Sequence, residues 1–139
     1  MPDRHTPEQR SYNMSRVKGK DTGLELTVRN ELQKLGLTFD NNVRNLPGKP
    51  DIVFWAEKVA IFIDGDFWHG YRFSAWESTL SSFWKNKIGE TRKRDQRNFR
   101  KLRRMGWKVI RVWQHQIHKD LDSSIARMTT VLKSRHVIL

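Results

Sequence analysis

Asp51 follows Leu46-Pro47-Gly48-Lys49-Pro50, a turn in which two prolines and a glycine forbid regular strand pairing, and it opens an apolar stretch. A carboxylate held at such a point has a fixed backbone behind it, as a Mg²⁺ ligand needs. Asp64 follows a second apolar stretch, so a hairpin of 51–55 with 58–63 would bring the ends carrying Asp51 and Asp64 together. Glu25 is a third acid near an element end. Taken alone, Asp51 reads as a turn cap. The segment Ile63-Asp64-Gly65-Asp66-Phe67-Trp68-His69-Gly70 alters that reading, because two large aromatics and a histidine crowd one loop. Histidine titrates near neutrality and takes a proton from water. A metal at Asp51 would polarise a phosphate. Together these are the parts for phosphodiester hydrolysis. His69 by itself serves equally well as a loop histidine satisfied by hydrogen bonds. His115 and His118 have i, i+3 spacing for a metal on a helix, but no third ligand stands nearby.

The positioning elements follow from periodicity. Thr6 to about Lys18 reads as a short basic helix with Pro7 in its first turn. Thr22-Gly23-Leu24-Glu25 has the form of a capping box, and Leu24, Val28, Leu32 and Leu35 follow at helical spacing before Gly36. Strands are expected over 38–43, 51–55, 58–63 and 107–113. In the last, Trp107, Val109, Arg111 and Trp113 face one way and Lys108, Ile110 and Val112 the other. Residues 64–82 read as irregular. A long helix is expected over 82–105, with Phe83, Ile88, Phe99, Leu102 and Met105 buried, and a final helix over about 122–134 with Ile125, Met128 and Leu132 inside. The order predicts an α/β layered fold with a mixed sheet flanked by helices.

The 139 residues suit one domain, and 27 Lys or Arg against 15 Asp or Glu give a net charge of +12. With a pI near 10.5, the natural partner is a polyanion: nucleic acid, or failing that an anionic membrane surface. Residues 85–111 alone hold twelve Lys or Arg against Glu90 and Asp95. Such a helix repels itself until a phosphate backbone neutralises it, whereas an ordinary solvated face mixes both signs. No apolar run approaches the ~20 residues of a membrane span. The N-terminus has no apolar signal region. With no cysteine, disulfides and thiolate metal sites are excluded. A cytoplasmic, nucleoid-associated protein is expected. The six tryptophans suit either base stacking or the core.

Several motifs in order give a more specific resemblance. They are Arg10-Ser11-Tyr12-Asn13-Met14-Ser15-Arg16-Val17, Asp21-Thr22 with Glu25, Leu46 to Asp51, Phe67-Trp68-His69-Gly70, Phe83-Trp84 with Lys87-Ile88, Arg94-Asp95, and Leu102 with Gly106-Trp107. Over roughly residues 8–115 the chain resembles the very-short-patch-repair (Vsr) endonucleases, a branch of the PD-(D/E)xK nucleases. The resemblance implies a restriction-endonuclease-like three-layer core with a mixed four-stranded sheet. It also implies an N-terminal DNA-contacting arm at 1–20 ahead of one endonuclease domain at 21–139. The implied activity is Mg²⁺-dependent nicking of DNA 5′ to the thymine of a T·G mismatch, with Mn²⁺ able to substitute.

By that resemblance Asp51 and the Ile63 carbonyl ligate the metal. His69 is the general base, with Glu25 as its carboxylate partner. Asp64 and Asp95 stand beside them. Phe67, Trp68 and Trp84 enter beside the mismatch from the major groove, and Met14 and Val17 from the minor groove. Lys85, Lys87, Arg92 and Arg94 are expected to bind the DNA backbone. A wobble pair stacks weakly, so aromatic insertion costs least there. Double-stranded DNA, mismatched, is the implied partner of a monomer, with mismatch-repair proteins as further partners by family alone.

The chain departs from the family at its zinc site. Asp66, Tyr71, Phe73 and Gln114 or a neighbour stand where members carry zinc-binding cysteines and histidine, so no structural zinc is expected. Packing through Tyr71, Phe73 and Trp76 must then hold the 65–77 loop. Two alternatives stay open: a nuclease of this type with another target, in restriction or anti-phage defence, and a DNA-binding module without catalysis.

Overall fold

The computed structural model of the chain describes residues 22–135. The expected N-terminal helix, with Met14 and Val17, lies outside them. Helix α1 (Thr22–Lys34) is followed by β1 (Asp40–Asn41), β2 (Ile52–Phe54) and β3 (Val59–Asp64). After the loop come a four-residue helix α2 (Phe73–Trp76), a 3₁₀ turn (Glu77–Thr79) and the long helix α3 (Ser82–Arg104). Strand β4 (Lys108–Trp113) and helices α4 (Gln114–Lys119) and α5 (Leu121–Ser134) complete the order. No helix among the described residues is long and apolar enough to cross a membrane.

The four strands lie in the order β1-β2-β3-β4. The first three pair antiparallel, and β3 pairs with β4 in parallel, Phe62 opposite Arg111 and Asp64 opposite Trp113. The parallel pairing requires a crossover, which α3 supplies. Because side chains alternate along a strand, Ile52, Phe54, Val59, Ile61, Ile63, Ile110 and Val112 join α1 and α5 on one face of the sheet. Val53, Ala60 and Phe62 meet Phe99, Leu102 and Trp107 on the other face, under α3. The result is three layers, α/β/α, as expected.

Three local expectations differ from what is observed. The first strand is only two residues long, since Asn42 has φ +50° and leaves the extended region. The chain nevertheless stays bonded to its neighbour, through Asn42 N to Asp51 O and Val43 N to Pro50 O. Residues 73–79, expected to be irregular, are helical, in short turns with too few apolar positions to show a period. On α3 the buried set is Trp84, Ile88, Asp95, Phe99 and Leu102, so Phe83 and Met105, expected inside, are 63% and 48% exposed. Each falls outside that buried stripe: Phe83 is one residue, about 100°, out of phase with Trp84. Met105 follows the last helical residue. Leu35 is exposed for the same reason, as it follows the last residue of α1.

Candidate active site

Strand parity decides which side chains meet. Val53 faces α3, so Asp51, two residues before it, emerges on the same face. Phe62 also faces α3, and Asp64 follows it two residues on. On β4, Trp107 and Val109 pack on that face, and Arg111 continues their row. Helix α3 returns one carboxylate to this point, because Asp95 lies on the buried stripe that carries Ile88 and Phe99. Asp51, Asp64 and Asp95 are each less than 9% exposed.

His69 reaches the cluster from the loop after β3. Successive turns fold that loop, with His69 N bonded to Gly65 O, Gly70 N to Phe67 O and Tyr71 N to Asp66 O. Gly70 has φ +70°, and a Cβ there would lie 2.7 Å from Arg92 Cδ and 3.0 Å from Ile88 Cγ2. Glycine therefore lets the loop press onto α3 and deliver the imidazole.

Both ring nitrogens of His69 are engaged. Nδ1 lies 2.7 Å from Asp95 Oδ2 and Nε2 lies 3.3 Å from Asp64 Oδ1. The pairing expected with Glu25 therefore falls to Asp95. Glu25 is buried on α1, which packs on the opposite face of the sheet, while His69 faces α3. The Arg111 guanidinium joins both carboxylates, Nε to Asp64 Oδ2 and Nη2 to Asp95 Oδ2, each at 2.7 Å. Asp51 Oδ2 accepts from Ile63 N at 2.7 Å, and Asp51 N donates to Ile61 O. Burial pushes the Asp64 carboxyl above the ordinary carboxylate range. His69 and Arg111 draw it back, while Asp95 and Asp51 add to the rise.

A cavity of about 400 Å³ opens over this set, lined by Lys49, Asp51, Ile63, Asp64, His69 and Asp95 among others. His69 and Arg94 also line a wider groove of about 770 Å³ with Trp68, Lys87, Lys93 and Arg97. Residues 87, 90, 91, 94 and 97 recur at helical spacing, so one face of α3 is a wall of the groove. Of the four basic residues singled out in the sequence, Lys87 and Arg94 line it. Arg92 instead lies over the Phe73 ring at 5.4 Å, and Lys85 is not among the lining residues. Lys93 and Arg97 were visible only as members of the charge run.

The aromatics form one cluster at the groove's end. Phe67 stacks on Trp76 at 5.7 Å and 18°, with its edges toward Trp68 and Trp84. Lys87 Nζ sits 5.4 to 5.7 Å from the Trp68, Phe83 and Trp84 rings. Trp84, expected to face DNA, is only 5% exposed, because it shares the buried stripe of α3 and stands behind Trp68. At the other end of the loop, His115 Nδ1 is 2.9 Å from Asp66 Oδ1, and Tyr71 packs on the His115 and Trp113 rings. Trp76 Nε1 donates to Tyr71 O, and Phe73 is buried beside Trp76. These contacts brace the loop with the residues expected to do so.

Residues 2–75 match the family described as DNA mismatch endonuclease Vsr. The chain belongs to the Vsr family. Relatives along most of its length agree. It is 39% identical over 134 residues to the type II nicking enzyme V.XorIIP of Xanthomonas oryzae pv. oryzae, covering 95% of this chain and 98% of the relative. It is 37% identical over 136 residues to the type II nicking enzyme V.NmeDIP of Neisseria meningitidis serogroup C, covering 96% and 92%. With the DNA mismatch endonuclease Vsr of Escherichia coli K12 it shares 35% over 116 residues, 82% of this chain and 74% of the relative. This Vsr chain is accordingly a DNA endonuclease of the nicking type, and the buried carboxylate–histidine cluster under its basic groove is the candidate centre.

Proposed function

We propose that the enzyme nicks one strand of duplex DNA 5′ to the thymine of a T·G mismatch, using Mg²⁺ held by Asp51 and the Ile63 carbonyl. The observation that carries this reading is the convergence of Asp51, Asp64, His69 and Asp95 on one cavity, beside a groove walled by Lys87, Arg94 and Arg97. Asp51 supplies a hard carboxylate oxygen. Ile63 turns its N–H to that carboxylate, and its carbonyl leaves the strand on the same side. Hard oxygen donors beside a cavity suit Mg²⁺ or Mn²⁺. The ion, when bound, would polarise the scissile phosphate and stabilise the leaving oxygen.

The chain's own groups do the rest. The short bond to Asp95 would keep the His69 proton on Nδ1, and Nε2 would accept the proton of the attacking water in place of its 3.3 Å contact with Asp64 Oδ1. Phe67 and Trp68 present planes beside the groove that wedge most cheaply next to a wobble pair. Trp84 supports them from behind, and Lys87, Lys93, Arg94 and Arg97 carry the phosphates. Asp51, Asp64, His69 and Asp95 all come from one chain, which supports a monomer acting on one strand.

A second reading is a nick at a target other than T·G. It is favoured by the names of the Xanthomonas and Neisseria relatives, which speak of nicking enzymes and of no mismatch. Cleavage of matched and T·G-containing duplexes of one sequence, with Mg²⁺ and with EDTA, separates the two. The proposal expects nicks 5′ to the mismatched T only with Mg²⁺. Equal cutting of the matched duplex would move the conclusion to the second reading.

A further inference from the structure

Arg111 lies within the most basic stretch of the sequence, yet its guanidinium is turned inward onto two carboxylates. Its guanidinium spends two of its donors on Asp64 and Asp95, 2.7 Å each. Its Cζ lies 4.1 Å from the centroid of the Trp113 ring and 5.1 Å from that of Phe99. The side chain is 22% exposed. A backbone-reading arginine would stand out in solvent instead. The same two carboxylates hold the two ring nitrogens of His69, so Arg111 and His69 share one pair of acids and meet at the same Asp95 oxygen, Oδ2. Two buried carboxylates this near each other disfavour joint ionisation unless a cation lies between them. Arginine meets that need at any working pH, and its rigid fork fixes both acids at once.

We propose that Arg111 is a positioning residue for the nicking reaction: it clamps Asp64 and Asp95 so that Asp95 holds the Nδ1 proton of His69, and Nε2, 3.3 Å from Asp64 Oδ1, is the nitrogen that can take a proton. The inference rests on the nuclease reading above. It also bears on the metal. Asp64, His69 and Asp95 offer donor atoms within 4.8 Å of one another, a spacing that invites a cation. The guanidinium already bonds both of those carboxylates, so the ion is directed to Asp51 and Ile63, and the acid–histidine set serves proton handling.

The test uses Arg111→Met, which keeps length without the fork, and Arg111→Lys, which keeps the charge. Nitrogen-15 spectra of the His69 ring at about pH 8.5, above the ordinary imidazole range, read the tautomer without turnover. Single-turnover nicking and DNA affinity are measured in parallel. The proposal expects Nδ1–H in the wild type and a mixed tautomer in Arg111→Met. It expects the nicking rate of that variant to fall roughly tenfold to a hundredfold, as for other outer-shell partners, with DNA affinity changed less than about threefold. Arg111→Lys should stay impaired, since an ammonium cannot bridge both acids. Loss of affinity with an unchanged rate would make Arg111 a phosphate contact and overturn the proposal. An unchanged tautomer and rate would make it packing. If Arg111→Met does not fold, Arg111→Lys decides by the same two readouts. If the wild type makes no nick, the nuclease reading fails, and the tautomer still decides the clamp.

Discussion

Replacing Gly70 by alanine probes how the loop delivers His69. The residue sits at φ +70°, where a Cβ costs about 1–2 kcal/mol. The added carbon would also lie 2.7 Å from Arg92 Cδ and 3.0 Å from Arg92 Cγ and Ile88 Cγ2. Arg92 is exposed and can swing aside, but Ile88 is fully buried and cannot. Overpacking of that kind adds a further ~1 kcal/mol. The sum, roughly 2–3 kcal/mol, lowers the melting temperature by on the order of 8 °C for a chain of this size. The imidazole is attached one residue away, so a shift of about 1 Å there should cut the nicking rate on the order of a hundredfold. Gly89 is the internal control, a helical glycine on the same α3 whose Cβ would meet nothing within 4 Å. Gly89→Ala should raise stability by about 0.5–1 kcal/mol and leave nicking intact. Thermal denaturation and single-turnover nicking of both variants check the pair. A Gly70→Ala protein with wild-type melting and rate would refute the claim that loop-to-helix contact places the histidine.

Other outcomes follow from the same geometry. Asp51→Asn should abolish nicking, a fall of more than about a thousandfold, while DNA binding by gel shift persists; comparable loss of binding would make Asp51 a fold residue. Trp68→Ala should lower the preference for T·G over matched duplex by about tenfold and weaken matched-duplex affinity little, and equal losses would return Trp68 to the core. Lys87→Ala and Arg94→Ala together should flatten the log-affinity against log-salt slope by about 2; an unchanged slope would move the DNA path off this face of α3. His115→Ala removes a bond that braces the loop, so it should lower stability by ~1 kcal/mol in urea titrations. Elemental analysis of the wild type should find no stoichiometric zinc. Burial raises Asp64's pKa from 3.8, so its contribution to stability is complete below 3.8 and is lost as pH rises through the folded value. Metal-free Asp64→Asn should lack that decline; an identical acid profile would contradict it.

Element types were legible because α1, α3, α5 and the strands each bury one continuous stripe. Asp51, Asp64 and His69 were legible because they cluster in sequence around one hairpin and its loop. Asp95 came from the resemblance alone, since by local pattern an acid inside a basic helix looks like one more surface charge until the stripe 84-88-95-99-102 is known to be buried. Arg111 was hidden the same way: β4 alternation put it on the correct side, but nothing local says that the side holds two carboxylates. Glu25 drew attention as an acid near an element end and by the resemblance, yet its helix packs on the sheet face opposite His69. Phe83 and Trp84 are adjacent aromatics, and only the helix phase, set by Ile88 and Phe99, decides which one goes inside.

Anomalous scattering from crystals grown with Mn²⁺ and a nicked or uncleavable duplex addresses the central claim most directly. The account predicts one peak about 2.1 Å from an Asp51 carboxylate oxygen and the Ile63 carbonyl, with Arg111 still bridging Asp64 and Asp95. A peak lodged among Asp64, His69 and Asp95, with the guanidinium displaced, would contradict it.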